Sequence, residues 1–218
     1  MVNSDMIKTT IIGYKGHLGS VLLKLFPDSY CVDMNNKDEL KRYLEISDYA
    51  FIAVPIDEEK NIIKNNLDFT GFIDLSSIKN EIVEFKDKII SIHPLFGPLS
   101  YEKSKDIIFI NDISYEGAIT VIKKLFKNYN IISMSYNEHD KLISEILVKP
   151  YILSYISDSL NSEIKTNSYI KFLSIYNIKN NENIENVLNT IALNRNSYKI
   201  IEEMEKKLDM LKKSVKYR

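Results

Sequence analysis

The chain is short of cysteine, of net charge and, over its second half, of glycine and proline, and each shortage removes a class of protein. Cys31 is the only cysteine among 218 residues, which excludes an intramolecular disulfide and a multi-cysteine metal site and fits a reducing compartment. Charge nearly cancels, with 29 Lys and Arg against 30 Asp and Glu, so no global field draws the chain to nucleic acid or to an anionic membrane. No run approaches the roughly 18–20 uncharged apolar residues of a membrane span. The opening Met-Val-Asn-Ser-Asp-Met-Ile-Lys lacks a signal peptide's apolar core. A cytoplasmic globular protein with no metal site is expected, and 44% hydrophobic residues are enough for a sizeable core.

Glycine falls at 13, 16, 19, 71, 97 and 117 and not beyond, and Pro150 is the only proline after Pro98. Gly and Pro punctuate turns, so a part with many short elements uses them often and a part made of long helices does not. Two domains follow, an α/β domain over 1–136 and a small all-helical domain over 137–218. In the first, β-branched runs at 9–12, 30–32, 50–54, 72–75, 89–92, 107–110 and 130–133 alternate with polar segments of helical period. That pattern predicts a mostly parallel, Rossmann-type sheet covered on both faces. Helices are expected to start near Leu18, Lys37, Glu58, Glu81 and Tyr115, with Asp38, Asp57 and Ser114 as candidate caps.

The second part shows helical spacing. Leu142, Ile146, Ile152 and Ile156 can share a face interrupted at Pro150, and Ile201, Met204, Leu208 and Leu211 form a 3-4-3 stripe. The stripe needs a partner, either the chain's own helices or, in a homodimer, a second copy. The Asn-rich stretch 177–186 is expected to be an exposed interhelical loop.

Strand one runs into Gly13-Tyr14-Lys15-Gly16-His17-Leu18-Gly19-Ser20, followed by an apolar helix. Strand, glycine turn and helix in that order let the backbone approach a pyrophosphate, whose charge meets the free N–H groups at the helix start. The spacing is one residue longer than G-x-G-x-x-G. Asp33 lies about 20 residues beyond the first glycine, where an acid can hydrogen-bond the adenosine ribose and repel a 2′-phosphate. NAD is therefore expected as cofactor, with Lys37 keeping NADP as the minor alternative. A glycine turn serving only chain reversal is the plainer alternative.

Two stretches sit at the carboxyl ends of predicted strands, where open α/β sheets bind ligands. They are Asp74-Leu75-Ser76-Ser77-Ile78-Lys79-Asn80 and Ser91-Ile92-His93-Pro94-Leu95-Phe96-Gly97-Pro98. A histidine directly after a buried strand and before a rigid Pro-x-x-Gly-Pro turn is mounted as a general base should be, although a lone histidine is more often structural.

Taken together, Ile-Ile-Gly-x-x-Gly-x-Leu-Gly at 11–19, Val54-Pro55-Ile56, Asp74-Leu75-x-Ser77-x-Lys79-Asn80, His93-Pro94-x-Phe96-Gly97-Pro98 and Glu138-His139-Asp140 resemble the prephenate dehydrogenase family. The resemblance spans residues 8 to about 150, in the family's order. It implies NAD-linked oxidative decarboxylation of prephenate to 4-hydroxyphenylpyruvate in tyrosine biosynthesis. It places the cofactor on Gly13, Tyr14, Lys15, Gly16, His17, Leu18, Gly19, Asp33, Val54 and Pro55, makes His93 the base, and gives Ser77 the task of fixing the imidazole's orientation and tautomer. Ser77 equally suits a helix N-cap before Ile78. Glu138-His139-Asp140 reads mainly as a helix start, with His139 packed rather than reacting.

The substrate half departs from the family. A substrate with two carboxylates needs cationic groups opposite them, and the chain has only Arg42, Arg195 and Arg218. Where relatives carry a histidine after a proline, this chain reads Lys149-Pro150-Tyr151. Lys149, Tyr151 and Arg195 are the candidate substrate contacts. Arogenate or another cyclic acid as substrate, and a non-catalytic dinucleotide-binding protein, are the alternatives.

Overall fold

The structure, a computed structural model, describes residues 7–98, 100–158 and 163–215; the opening six residues and Arg218 lie outside them. The chain divides into two compact units, Met1–His139 and Asp140–Arg218.

The first unit is built on seven strands, β1 Thr9–Ile12, β2 Tyr30–Val32, β3 Tyr49–Ile52, β4 Phe72–Asp74, β5 Ile90–Pro94, β6 Asp106–Ile110 and β7 Asn130–Met134. They form one sheet in the order β2-β1-β3-β4-β5-β6-β7. The first five are parallel, β6 runs antiparallel to β5, and β7 is parallel to β6. Among the described residues no helix links β5 to β6, and an antiparallel pair can do without a crossover helix. The helices are α1 His17–Leu25, α2 Leu40–Ile46, α3 Ile56–Asn65 and α4 Ala118–Leu125. Phe26, Phe51 and Phe126 fill the space between sheet and helices, with Phe26 centred 4.9 Å from Phe51 and 5.3 Å from Phe126.

Several local expectations are corrected. The segment at Glu81 holds only a 3-10 turn, Val83–Phe85, because Lys79 turns inward to bond the sheet rather than joining a helical face. The observed caps are Asp33, Pro55 and Gly117 in place of Asp38, Asp57 and Ser114. Ser114 instead receives the Ser91 N–H at 2.9 Å and braces β5.

In the second unit α5, Tyr136–Ile143, which begins in the first unit, continues through a π-helical turn, Ser144–Val148, into α6, Lys149–Ile156. Pro150 lacks an N–H and its ring would crowd the carbonyl four residues back, which the wider turn relieves. The extra residue rotates the apolar face. Ile143, Val148 and Ile152 are buried, while Ile146 and Ile156 of the anticipated stripe are exposed. Then follow α7 Asn167–Tyr176, α8 Ile178–Asn181, α9 Ile184–Leu193 and α10 Ser197–Ser214. Residues 177–186 are thus partly helical rather than a loop, since their asparagines cap: the Asn183 side chain accepts the Glu185 N–H at 2.8 Å. Val148, Ile152 and Ile200 make a small core with Ile191 and Met204 against it. Among the described residues no helix is long and apolar enough to cross a membrane.

Candidate active site

Strand order reverses at β1, since β2 lies on one side of it and β3 on the other, all three running parallel. Open α/β sheets receive ligands in the crevice at such a point. The glycine turn occupies it. Gly13 has φ +84°, and a Cβ there would stand 2.5 Å from the Ala53 carbonyl oxygen and 2.8 Å from Val54 Cγ1. A Cβ on Gly19 would stand 2.0 Å from the Gly13 carbonyl oxygen. These two glycines are required by the turn and by the approach of α1 to β1. Gly16 is different. It caps α1 with φ −68° and ψ 170°, backbone that any residue adopts.

No side chain caps the amino end of α1 and its first turn holds no acid, so the partial positive charge of those N–H groups is not offset within the helix itself. Asp33, at the end of β2, points back at the turn. One carboxylate oxygen accepts the Lys15 N–H at 3.1 Å and the other the Met34 N–H at 2.8 Å, while Asn36 closes a capping box on the Asp33 N–H. Lys15 Nζ reaches Asn35 at 3.0 Å. Tyr14 packs against the core, His17 is exposed and Leu18 half-buried, and half-buried Val54 touches the turn before Pro55 caps α3. The predicted cofactor residues are therefore gathered at one end of β1, β2 and β3. The arrangement fits a dinucleotide: glycines where the backbone comes close, a helix start without a side-chain cap, and the Asp33 carboxylate beside the turn.

Three strands along, His93 sits near the end of β5, paired in register with Ile108 of β6. It is buried, and its Nδ1 lies 2.9 Å from Nε2 of His139, with ring centroids 5.1 Å apart at 68°. His139, in the first turn of α5, is itself wholly buried. The helix start is fixed by a capping box, in which Glu138 accepts the Ser135 N–H at 2.9 Å and Ser135 Oγ accepts the Glu138 N–H at 3.3 Å. Hydrogen bonds from Ser135 hold the Glu138 carboxyl below its usual value. Burial, with His139 and Lys79 nearby, pushes His93 well below the ordinary histidine value, so it is neutral at pH 7.

Beneath His93 lies a buried charged group that composition and spacing did not disclose. Lys79 Nζ donates to Asp74 at 2.7 Å and to the Ile92 carbonyl at 2.8 Å, fixing the backbone next to His93. Asp74 also accepts from Ser91 Oγ at 2.5 Å and from the Ser76 N–H at 2.7 Å. Burial alone would raise Asp74, but Lys79 and these hydrogen bonds outweigh it and keep the carboxylate ionised. Glu59 of α3 completes the group. Neither of its oxygens accepts a hydrogen bond from a protein donor, and its carboxyl meets that of Asp74. Burial and the Asp74 charge push its pKa well up, which favours a protonated Glu59 able to donate to Asp74. A buried acid in a helix's first turn has no sequence signal, since acids there normally face water.

Ser77 lies half-buried on the turn between Asp74 and Lys79. No helix begins after it, so the N-cap alternative falls. In the second unit, Lys149 pairs with Glu145 one helical turn earlier. Tyr151 is half-buried, and burial with the Glu182 charge pushes its hydroxyl up to about 12. Arg195 is exposed on the α9–α10 turn, and that turn is pinned because Asn194 and Asn196 both donate to the Asp140 carbonyl, at 3.0 and 3.2 Å. Among the described residues no group of three His, Cys, Asp or Glu could hold a metal ion.

No family model matches the sequence, and no curated protein matches it. Solved structures do match in fold. Prephenate dehydrogenase of Aquifex aeolicus, solved with hydroxyphenyl propionate and NAD+, superposes with a TM-score of 0.71 at 15% identity, covering 97% of this chain and 91% of that one. A second structure of the Aquifex aeolicus enzyme gives 0.65 at 15% identity, over 94% and 90%. Arogenate dehydrogenase of Synechocystis gives 0.62 at 13% identity, over 94% and 90%. At such identity the likeness carries the fold, and the chain is built on the Rossmann-type architecture with a helical second part that these dehydrogenases share.

Proposed function

We propose that the protein is an NAD-dependent dehydrogenase of a cyclic acid, and specifically a prephenate dehydrogenase. The observation that carries the proposal is His93: a neutral, buried imidazole at the end of a strand, in the same sheet whose glycine turn suits a dinucleotide. The fold shared with the prephenate and arogenate enzymes supports it.

The turn from Gly13 to Gly19 and the open start of α1 would receive the pyrophosphate, and Asp33 would exchange its bond to the Lys15 N–H for the ribose hydroxyls. Its charge disfavours a 2′-phosphate, hence NAD over NADP. Val54 and Pro55 would flank the nucleotide. Bound NAD+ supplies the hydride acceptor. His93 accepts the proton of the substrate hydroxyl through Nε2, so electron density builds on that oxygen as the C–H bond of the same carbon breaks. When the ring carboxylate leaves as carbon dioxide, its C–C bonding pair enters the ring, and the new phenolic oxygen recovers the proton from His93. Ser77 is assigned to orienting the imidazole. Lys149, Tyr151 and Arg195 are assigned to the substrate carboxylates, and the exposed stripe of α10 to pairing with a second copy.

Arogenate is the second reading, favoured by the loss of family histidine at Tyr151 and by the shared fold. Purified protein with NAD+ and prephenate should generate the absorbance of reduced cofactor, faster than with arogenate or with NADP+. His93→Asn should lower kcat by roughly 10²–10⁴-fold and leave NAD binding within a factor of two or so. Binding of NAD+ with turnover of neither acid would replace the enzyme by a dinucleotide-binding protein.

A further inference from the structure

We infer that His139 is the positioning residue that holds the proton of His93 on Nδ1 and thereby leaves Nε2 as the basic atom. The inference rests on the reading of His93 as the base. It follows from the single contact between the rings, Nδ1 of His93 against Nε2 of His139 at 2.9 Å. Two neutral imidazoles meeting nitrogen to nitrogen hold one proton between them. If it belonged to His139, the Nδ1 lone pair of His93 would be spent on His139, its own proton would sit on Nε2, and it could not accept one from a substrate. If it belongs to His93, Nε2 carries the free lone pair.

Neither ring has an easy alternative. His93 is held by the β5–β6 register and by the following Pro94, and Lys79 ties down the carbonyl of Ile92 before it. His139 is locked in a capped helix start without exposure to water. The same bond serves in both protonation states. Once His93 has taken the substrate proton it is an imidazolium, still donating from Nδ1 to His139, and a charge-assisted bond is stronger than a neutral one. The bond therefore keeps its direction through the reaction, with Nδ1 as donor before and after the proton arrives at Nε2. It acts through His93 and touches no substrate.

The test begins without substrate. Long-range ¹H–¹⁵N spectra of the ¹⁵N-histidine-labelled full chain should show His93 protonated on Nδ1, with an unprotonated Nε2. A His93 protonated on Nε2 would overturn the inference. Two variants then separate positioning from packing. His139→Gln sets a carbonyl oxygen near the place of Nε2 and can accept from His93, whereas His139→Leu cannot. The Gln variant should keep the Nδ1 tautomer and kcat within about tenfold of wild type. The Leu variant should show mixed tautomers and lose at least roughly 10²-fold in kcat, at an unchanged KM. Equal losses in both variants, or none in the Leu variant, would overturn it. If the Leu variant does not fold, the wild-type and Gln spectra still decide. A wild type that turns over neither acid refutes the proposed function, while the tautomer remains measurable by itself.

Discussion

Glu59 shows how far a single carboxyl can depart from its expected surroundings. An acid in the first turn of a helix ordinarily faces water and favours the dipole, yet Glu59 is 1% exposed and lies against Asp74. With its folded pKa raised above the ordinary 4.5, the native state binds a proton that the unfolded chain releases. This group's contribution to stability is therefore fully present below about pH 4.5 and is lost as pH rises toward the raised native value. Asp74, lowered in the fold, works in the opposite direction. Glu59→Gln offers a donor to Asp74 and removes the titration, so the melting temperature of the variant relative to wild type should climb as pH rises above about 4.5. A constant difference would show that Glu59 is ionised in the fold. His93 was legible at this scale, because a buried run and a Pro-x-x-Gly-Pro turn bracket it. Its partner was not, since His139 lies 46 residues away and the Glu-His-Asp triplet looks like any helix start.

At the scale of elements, the glycine turn divides into glycines of two kinds. Gly19→Ala drives a Cβ against the Gly13 carbonyl at 2.0 Å, a contact between backbones that only a shift of α1 away from β1 can relieve. Overpacking of this sort costs about 1–3 kcal/mol, or a fall in melting temperature of roughly 3–10 °C. A Cβ on Gly16 meets that oxygen at 3.2 Å, in backbone that alanine tolerates. Gly16→Ala should therefore melt close to wild type and lose NAD affinity, because its methyl would stand where the phosphates approach. Thermal melts and NAD titrations of both variants check this; Gly16→Ala melting as low as Gly19→Ala would remove the distinction. The turn and all seven strands were legible because apolar, mostly β-branched runs and glycines mark them locally. The π-helical turn was not, since one inserted residue leaves composition unchanged and shows only as a shifted apolar face. The missing helix near Glu81 escaped for a related reason: what decides that segment is the reach of Lys79 to Asp74 and to the Ile92 carbonyl, a contact between elements.

At the scale of the whole molecule, the loss of glycine after Gly117 matches the helical second unit, but that unit's own core is small. Ile200 is buried in it, whereas Leu208 and Leu211 are 56% and 60% exposed, with Met210 and Val215 beside them. An apolar face of this kind on a helix end points to a partner, and the charges around it suit a second copy of the same helix. Glu203 and Glu205 lie in the first half of α10, among Lys199, Lys206 and Lys207, and Lys212 and Lys213 at its end beyond Asp209, so an antiparallel pair related by a two-fold axis brings the terminal lysines of each copy toward the acids of the other. Covering a leucine removes roughly 1.5–3 kcal/mol of exposed apolar surface at full burial, while the rim charges are worth less than about 1 kcal/mol each. The pairing should therefore persist in high salt and yield to a charge placed in the stripe. Light scattering behind size exclusion should give twice 25.4 kDa for the wild type in both low and high salt, and 25.4 kDa for Leu208→Glu with Leu211→Glu. A monomeric wild type would leave the stripe without this role, and a dimeric double variant would move the interface to another face.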